Sequence, residues 1–452
     1  MSESKNTKKH STFVTNVFAL LNIIVIVLIL FGGFAYLLFF ERETVSHEEN
    51  RNLNEFPAFS VNSYLKGEYT EGIADYYDDT VPNRSFFKTI ISKYILPLKG
   101  VKYGDDSVEL YNTAKDTPEK TEKPVAETTQ TTVSATTGTG TVTTTTTTET
   151  LPDNKEAAAN GEISNNILVV NKRGIMLYGG AWGNEINYAE DVNAYKDALG
   201  KDVNVYSMVL PTSVSYYLPE NYLDLVESEK DDLDSIKKHL KKVTHVDAYT
   251  ALLRHKKENI YSRTDHHWLP LGAYYAAEEF AKEADVDFAD ISEYKKHVLT
   301  GYVGTMYGYT KSSTLLDNPE SFVYYEPKTD VEVTQYSRYF TEPTETELFI
   351  NPDNLDKSSY YLVFGMDDNI RHVKTKCRNG RNLVIFKDSY GNALLPFLTG
   401  SFENIYICDI RYFEINAKNF IEEVGATDVL FAMCTYSAVG PNREYISANL
   451  NR

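Results

Sequence analysis

A short run near the middle of the chain combines an acid, two imidazoles and an indole. The four consecutive residues are Asp265, His266, His267 and Trp268. Side chains alternate between two faces of an extended run, so we expect Asp265 and His267 to lie on the same side. A carboxylate beside an imidazole is the orienting half of a nucleophilic triad. This run offers no nucleophile of its own, so the chemistry it indicates needs a hydroxyl from another part of the chain.

The candidate nucleophile is Ser389, which follows an apolar stretch, residues 383–386, that is typical of a buried strand. In an open α/β sheet, ligand groups are presented at the carboxyl ends of such strands. A helix is predicted to begin at Ser389, where unpaired N–H groups can stabilise an oxyanion. Gly391 is expected to let a substrate approach the backbone. The local residues also fit a serine that only caps the helix, and both interpretations stay open.

The acid and the two histidines have simpler interpretations as well. Asp265 fits a cap for the helix that follows, and the histidines fit structural roles or part of a metal site. A zinc site needs three or four ligands, and the other histidines of this region show no ligand spacing. We therefore predict no metal. The alternation predicts that His266 points away from His267 and packs inward with Trp268.

The elements around these stretches predict an α/β fold. From residue 382 onward, strand and helix patterns alternate, which is typical of parallel βαβ units. Pro270 fits the first position of a helix. The predicted strands are 108–111, 167–170, 175–178, 203–210, 360–364, 382–386, 405–409 and 429–434. The predicted helices are 63–77, 84–96, 190–199, 223–240, one from 250, 271–283, 393–398 and 415–424.

The N-terminal part of the chain predicts a membrane anchor. Residues 1–10 form a mostly basic tail, and residues 11–40 carry no charge. An apolar run of about 20 residues spans the hydrocarbon core of a bilayer. The positive-inside rule then places the N-terminus in the cytosol and the bulk of the chain outside it. A cleaved signal peptide is the alternative, although its apolar core is normally about 7–15 residues long.

The remaining organisation follows from composition. Residues 41–112 are mixed in character and are expected to pack on the main domain. Residues 113–163 are rich in threonine and too polar to offset the entropy of ordering, so they predict a disordered linker or insertion. The main domain is then 164–452. With a net charge of -19, the chain lacks the basic face that nucleic-acid binding requires. The three cysteines make no disulfide framework.

Several motifs together resemble the bacterial DHHW family. The run from Thr264 to Trp268 resembles its signature, and the block from Lys387 to Asn392 resembles its serine motif. Further resemblance comes from residues 50–57, 272–275, 301–307, 396–398 and 409–412. That family is similar in turn to the SGNH-hydrolase-like proteins that O-acetylate alginate. In those proteins, as here, an Asp-x-His pair precedes the serine in the chain.

The resemblance implies a three-layer, SGNH-hydrolase-like domain with a mainly parallel sheet. Carried across, it makes Ser389 the nucleophile, His267 its general base and Asp265 the orienter of His267. We then expect His267 Nε2 within hydrogen-bond reach of Ser389 Oγ. Asn392 is a candidate for the oxyanion hole. Arg411 and Tyr412 follow the next predicted strand and are candidates to reach the same crevice. A purely structural contact between Asp409 and Arg411 is an equal alternative.

The implied activity is acetyl transfer to, or removal from, hydroxyls of a cell-surface or secreted polysaccharide. It requires no metal or soluble cofactor. A transferase outside the cell lacks acetyl-CoA, so the resemblance implies a polytopic membrane O-acyltransferase as partner. The alternative from another class is a non-catalytic surface protein that binds glycan on the same fold. A metal-dependent phosphoesterase is the third possibility.

Overall fold

A large mixed sheet forms the centre of the fold. The computed structural model describes residues 55–83 and 161–452, together with scattered residues between 27 and 52. The strands are β1 (Val45–Ser46), β2 (Arg51–Asn52), β3 (Glu162–Ser164), β4 (Ile167–Val170), β5 (Arg173–Met176), β6 (Asn204–Leu210), β7 (Thr244–His245), β8 (Tyr294–Tyr302), β9 (Glu320–Pro327), β10 (Glu332–Tyr336), β11 (Thr344–Thr346), β12 (Ile370–Lys374), β13 (Asn382–Lys387), β14 (Asn404–Asp409) and β15 (Asp428–Cys434).

The eight strands of the large sheet follow the order β11-β10-β12-β14-β13-β15-β6-β7. The five strands from β14 to β7 are parallel neighbours, whereas β12, β10 and β11 join through antiparallel pairs. Every residue of β15 is buried, as expected for a parallel strand covered on both faces. The predicted α/β class is confirmed. The parallel half of the sheet brings the carboxyl ends of β13, β14 and β15 to one edge.

Helices are interspersed with these strands along the chain. The α-helices are α1 (Val61–Lys66), α2 (Glu68–Asp79), α3 (Asn184–Leu199), α4 (Val214–Tyr217), α5 (Glu229–His239), α6 (Ala248–Arg254), α7 (Pro270–Glu283), α8 (Thr305–Thr310), α9 (Ser313–Leu316), α10 (Leu395–Leu398), α11 (Ala417–Glu423), α12 (Thr435–Val439) and α13 (Glu444–Asn451). The 3-10 helices are Glu220–Leu225, Ile291–Glu293, Pro352–Asn354, Lys357–Phe364, Ser389–Leu394 and Pro441–Arg443.

The helices α3 and α7 cover opposite faces of the sheet. Tyr195 of α3 packs on Phe431 of β15, with ring centroids 4.9 Å apart. Phe280 of α7 packs on Tyr206 of β6 at 5.2 Å. Tyr206 is the register partner of Leu430, the neighbour of Phe431. Since successive residues of a strand face opposite sides, the two helices sandwich the sheet between them.

The predicted strand at residues 360–364 is wrong. The structure folds this stretch into the 3-10 helix Lys357–Phe364, which ends at Gly365 with φ 109°. Tyr361 and Phe364, three residues apart, are both buried, and their rings lie 5.6 Å apart. A short apolar run does not distinguish a strand from a buried helical segment. In this protein, contacts with the rest of the domain stabilise the helical conformation of this stretch.

Other elements differ mainly at their boundaries. The predicted helix 63–77 is broken at Gly67, whose φ of 84° is a left-handed conformation that favours glycine. The predicted helix 223–240 is broken before α5, where the Ser228 side chain caps the new helix by accepting from the Asp231 N–H. The helix α3 begins six residues before its predicted start at 190. The predicted strands 167–170 and 175–178 correspond to β4 and β5, which pair as an antiparallel hairpin.

The N-terminal predictions fall largely outside the described residues. These are the anchor at 11–40, apart from a few residues, the helix 84–96, the strand 108–111 and the threonine-rich tract up to residue 160. Among the residues that the structure does describe, no helix is both long and apolar enough to cross a bilayer. The strand β3 begins at Glu162, two residues before the predicted domain boundary at 164.

Candidate active site

Three side chains from two distant stretches form a continuous hydrogen-bonded chain. His267 Nε2 lies 2.8 Å from Ser389 Oγ, and His267 Nδ1 lies 2.6 Å from Asp265 Oδ1. An ionised carboxylate only accepts hydrogen bonds, so Nδ1 carries the proton and Nε2 is free to accept the serine proton. Asp265 and His267 are 2% and 1% exposed, while Ser389 is half-buried. The arrangement is that of a nucleophile, a base and an orienting acid.

The stretch that supplies Asp265 and His267 is not extended as expected. Tyr261 and Trp268 form an antiparallel bridge, and the residues between them bend into a loop. Asp265 Oδ1 also accepts a hydrogen bond from the backbone N–H of His267 at 2.9 Å. A tight turn, rather than strand alternation, therefore brings the acid to the imidazole. The helix-cap interpretation of Asp265 is wrong, because Leu269 is the N-cap of α7 and Pro270 its first residue.

The buried carboxylate of Glu320, on β9, stabilises this turn through hydrogen bonds. Glu320 Oε1 accepts hydrogen bonds from Ser262 Oγ at 2.5 Å and from the Thr264 N–H at 2.9 Å. Ser262 Oγ in turn accepts from the Asp265 N–H at 2.8 Å. Sequence reasoning missed Glu320, since an acid in an irregular region gives no local signal of what it will bind.

The second oxygen of Asp265 is held by the start of α8. Asp265 Oδ2 accepts from the Thr305 N–H at 2.8 Å and from the Thr305 hydroxyl at 2.9 Å. The preceding residue is Gly304, and a Cβ there would lie 2.3 Å from Asp265 Oδ2. A glycine is therefore required for Asp265 to reach this helix end. Both residues lie in the 301–307 motif, although their role was not predicted.

Electrostatics keep Asp265 ionised and His266 neutral. Burial by itself raises the pKa of Asp265, but the neighbouring His267 and His266, with the hydrogen bonds, lower that pKa below its usual value. Burial lowers the pKa of His266 to about 4, and the neighbouring His267 acts in the same direction. An ionised carboxylate at this position is the form that would stabilise a protonated imidazole beside it.

Aromatic side chains fix the plane of the His267 ring. Tyr361 stacks on it, with centroids 3.8 Å apart and 9° between the planes. Trp268 is fully buried, and its Nε1 donates to Tyr361 Oη at 3.1 Å and to the Tyr390 carbonyl at 3.0 Å. Tyr361 belongs to the stretch whose strand prediction was wrong, and from its 3-10 helix it places its ring on His267.

Ser389 stands at the first position of the 3-10 helix Ser389–Leu394. The N-cap is Asp388, whose side chain accepts from the Tyr390 N–H at 3.0 Å, so the interpretation of Ser389 as the cap is wrong. A second contact, from the Cys434 N–H to Asp388 at 3.0 Å, ties this turn to the end of β15. The Ser389 N–H lies in the first turn, where backbone donors have no helical partner.

Gly391 is needed for packing, not for substrate approach as expected. A Cβ at this position would lie 2.4 Å from Lys387 Cβ and 3.1 Å from the Ala432 carbonyl. The glycine therefore lets the serine turn fold back on its own strand and on β15.

Asn392 lies on the same face of its helix as Ser389, since residues three apart eclipse in a 3-10 helix. Its Nδ2 donates to Asp367 Oδ1 at 2.8 Å. Asp367 also binds Lys387 Nζ at 2.7 Å and Arg411 Nη2 at 3.0 Å. These cations hold the pKa of Asp367 below its usual range, against burial, which raises it. Sequence reasoning missed Asp367.

Arg411 and Tyr412 are placed differently from Asn392. Arg411 pairs with Asp409 through Nε at 2.8 Å and Nη2 at 2.7 Å. This is the structural contact that was the alternative for Arg411. Tyr412 is half-buried, with the Arg411 guanidinium 5.4 Å from its ring centroid. Arg411 reaches the Asn392 environment through their shared partner Asp367.

His266 lies beside His267 rather than on the opposite face, because the chain bends here. The two ring centroids are 3.8 Å apart. The His266 side chain is 23% exposed, whereas Trp268 is fully buried, so the predicted pairing of His266 with Trp268 in packing is wrong.

In the described part of the chain, Asp265, His266 and His267 form the group close enough to share a metal ion. Both oxygens of Asp265 and the Nδ1 atoms of both histidines are already hydrogen-bonded. Ion binding through those atoms would break these bonds, which fit a serine triad better than a metal centre.

Comparisons with known proteins agree with the motifs. The model of the DHHW protein family matches residues 134–408. A crystal structure of a DHHW family protein from Eubacterium siraeum is 45% identical, with a TM-score of 0.62 over 65% of this chain and 98% of that one. PatB1 of Bacillus cereus is 18% identical, with a TM-score of 0.49 over 63% of this chain and 97% of that one. The O-acetyltransferase domain of Pseudomonas putida AlgJ is 14% identical, with a TM-score of 0.37 over 65% and 98%. No curated protein sequence matches the chain.

Proposed function

This chain belongs to the DHHW family, and we propose that it is a serine O-acetyltransferase or acetylesterase acting on polysaccharide hydroxyls. The observation that carries the proposal is the chain of contacts from Ser389 through His267 to Asp265, at 2.8 Å and 2.6 Å. The acetyl group and the polysaccharide follow from the resemblance to proteins that O-acetylate alginate.

In the proposed reaction, Ser389 Oγ attacks the carbonyl carbon of an acetyl ester while His267 Nε2 takes the serine proton. Asp265 holds the ring and stabilises the imidazolium that forms. His267 then returns the proton to the leaving oxygen, and an acetyl ester remains on Ser389. A sugar hydroxyl or water attacks this ester in the second half, and the proton again passes through His267 to Ser389 Oγ.

The oxyanion of each half-reaction needs preorganised donors. Two are proposed here, the Ser389 N–H in the first turn of its helix and the Asn392 side-chain amide. One N–H of Asn392 is bound to Asp367, and the other is left for the oxyanion. The whole mechanism uses only groups of this chain.

The proposal extends to location and partners. Residues 11–40 would anchor the chain as a single span, with the N-terminus in the cytosol and the domain outside it. Because no acetyl-CoA is available there, a polytopic membrane O-acyltransferase would deliver the acetyl group.

The test is p-nitrophenol release from p-nitrophenyl acetate by the purified full-length protein. Ser389→Ala should lower kcat by about 10³-fold or more, as removal of a triad serine does. Ser447→Ala is the matched control, because that half-buried hydroxyl donates to the Glu444 carbonyl of its own helix and lies beside Asp191 on α3, with no part in the proposed triad. Equal activity in the Ser389 variant would refute the serine mechanism. A wild type inactive on every acetyl donor and acetylated glycan would favour the glycan-binding alternative.

A further inference from the structure

The proposed triad gives no role to His266, which lies between Asp265 and His267 in the signature run. Its Nδ1 lies 2.6 Å from the Thr305 hydroxyl oxygen. That hydroxyl has a single proton, which it donates to Asp265 Oδ2 at 2.9 Å, because a carboxylate can only accept. His266 Nδ1 must therefore be the donor in its own bond to Thr305. In the neutral ring, Nε2 then carries the lone pair.

The two imidazoles of this site face the same way. The Nδ1 atom of each is directed at the Asp265–Thr305 pair, that of His267 at 2.6 Å from Asp265 and that of His266 at 2.6 Å from Thr305. Their rings are in contact, with 3.8 Å between centroids and 37° between planes. The opposite side of each ring, which holds Nε2, therefore points away from Asp265. For His267 this is the side of Ser389.

The Nε2 atom of His266 is available to a ligand. The side chain is 23% exposed, the most open of the three polar residues in this run. Within the described residues, this nitrogen makes no hydrogen bond to the protein. It is also not one of the fully buried polar atoms that lack a partner, so it is not sealed inside the protein. The lowered pKa of His266, about 4 because of burial, leaves the ring neutral at neutral pH. It thus offers a hydrogen-bond acceptor, suited to a hydroxyl group rather than to an anion.

A sugar presents such a hydroxyl next to the one that reacts. We propose that His266 Nε2 accepts a hydrogen bond from the hydroxyl adjacent to the acceptor hydroxyl, so that the site selects vicinal diols. This inference rests on the proposed function and names its substrate class. The reacting hydroxyl gives its proton to His267 Nε2 as its oxygen bonds to the acetyl carbon. The bond from that carbon to Ser389 Oγ breaks, and Oγ takes the proton from His267.

Two small alcohols isolate this contact. Ethylene glycol has an adjacent hydroxyl, and in 2-methoxyethanol a methyl ether blocks it. The full-length protein is given p-nitrophenyl acetate with each alcohol, and the ratio of acetylated alcohol to free acetate is measured. The ratio is expressed per free hydroxyl, because ethylene glycol has two that can react and 2-methoxyethanol has one. The wild type should favour ethylene glycol by about fivefold to tenfold, the worth of one hydrogen bond.

Two variants of His266 separate a binding role from a structural one. His266→Asn keeps a donor for Thr305 but has no acceptor at the Nε2 position, so its preference should fall to about one. His266→Gln places an amide oxygen near that position and should retain part of the preference. Both should release p-nitrophenol in the first half-reaction, which confirms folding independently of the ratio.

The outcomes are distinct. An unchanged preference in His266→Asn would overturn this inference, and so would a wild type without preference or without detectable transfer to either alcohol. In each of these cases Ser389-dependent release of p-nitrophenol continues, and the proposed function stands. Loss of that release in the wild type would instead overturn the proposed function and this inference with it.

Discussion

Gly304 lies so close to Asp265 that a Cβ at residue 304 would be 2.3 Å from Asp265 Oδ2 and 2.4 Å from Asp265 Cβ. The Gly304→Ala variant must therefore push the acid away from Thr305 or from His267. A displacement of about 1 Å in such a group costs about 10²-fold in rate, and kcat for p-nitrophenyl acetate should fall accordingly. Gly400→Ala is the control, because a Cβ there meets nothing within 4 Å. Equal kcat in both variants would contradict the positioning of Asp265 by this helix end.

The Glu320 carboxylate, 5% exposed, accepts hydrogen bonds from both the backbone and the side chain of Thr264. In Glu320→Gln, an amide NH2 would replace one acceptor oxygen and face these donors. We expect a loss of about 2–3 kcal/mol in the free energy of unfolding, typical of bonds to a charged group, together with a lower kcat. Chemical denaturation and steady-state kinetics measure the two effects.

Glu326→Gln is the control for that substitution. Glu326 lies on the same strand, β9, and its side chain is 41% exposed, in contact with His297 at 2.6 Å and Lys295 at 3.3 Å. Exposed pairs contribute about 0–1 kcal/mol, so this variant should unfold near the wild-type denaturant concentration. If both variants lost the same stability, Glu320 would have no special part in supporting the turn.

His266 should make stability rise with pH in a defined window. Its pKa falls from 6.5 to about 4 on folding because of burial. Between those values the unfolded chain binds a proton that the folded chain does not, so acid favours unfolding. From pH 7 to pH 5 this one residue should cost about 2 kcal/mol. His266→Asn should remove that share of the decline, measured by denaturation at both pH values.

The other titrating groups are common to both proteins, and Asp265 is a neighbour whose pKa His266 itself influences. Asp265, whose pKa is lowered on folding, acts in the same direction but mainly below about pH 4, where the unfolded carboxyl is protonated. Identical pH dependence in wild type and variant between pH 5 and pH 7 would mean that His266 keeps an ordinary pKa in the folded protein.

The sequence was most informative where local pattern and local structure coincide. The apolar runs that became β13, β14 and β15 are strands with both faces covered, and their positions were predicted to within one residue. The expected reach from His267 to Ser389 agrees with the 2.8 Å distance. The reason given for the pairing of Asp265 with His267 was wrong, because a hydrogen-bonded turn and not strand alternation brings them together.

The contacts that were not predicted from the sequence join residues that lie far apart in the chain. Glu320 supports a turn more than fifty residues before it, and Asp367 binds an asparagine twenty-five residues after it. A lone acid in an irregular region carries no periodicity that would reveal such a partner. Tyr361 shows the same limit for an apolar residue, since its helical conformation depends on contacts that local propensity does not contain.

Asp367 offers a direct test of how Asn392 is oriented. The carboxylate can only accept, so it holds the Asn392 amide with Nδ2 toward it at 2.8 Å. In Asp367→Asn, the new side chain can either donate or accept, and the Asn392 amide loses its fixed orientation. We expect kcat for p-nitrophenyl acetate to fall about tenfold, less than the ~10²-fold or more for a lost oxyanion donor. KM should change little.

Asp409→Asn is the matched control for this variant. Asp409 pairs with the same two cations, Lys387 and Arg411, at 3.0 Å and 2.7 Å, and among the described contacts it makes none to Asn392. Both substitutions remove one negative charge from one buried cluster, so both should destabilise the fold by a similar amount, read from thermal unfolding. Only Asp367→Asn should lower kcat beyond about twofold, because only Asp367 holds the proposed oxyanion donor. Equal losses of kcat in the two variants would assign the effect to the charge cluster as a whole and not to the orientation of Asn392.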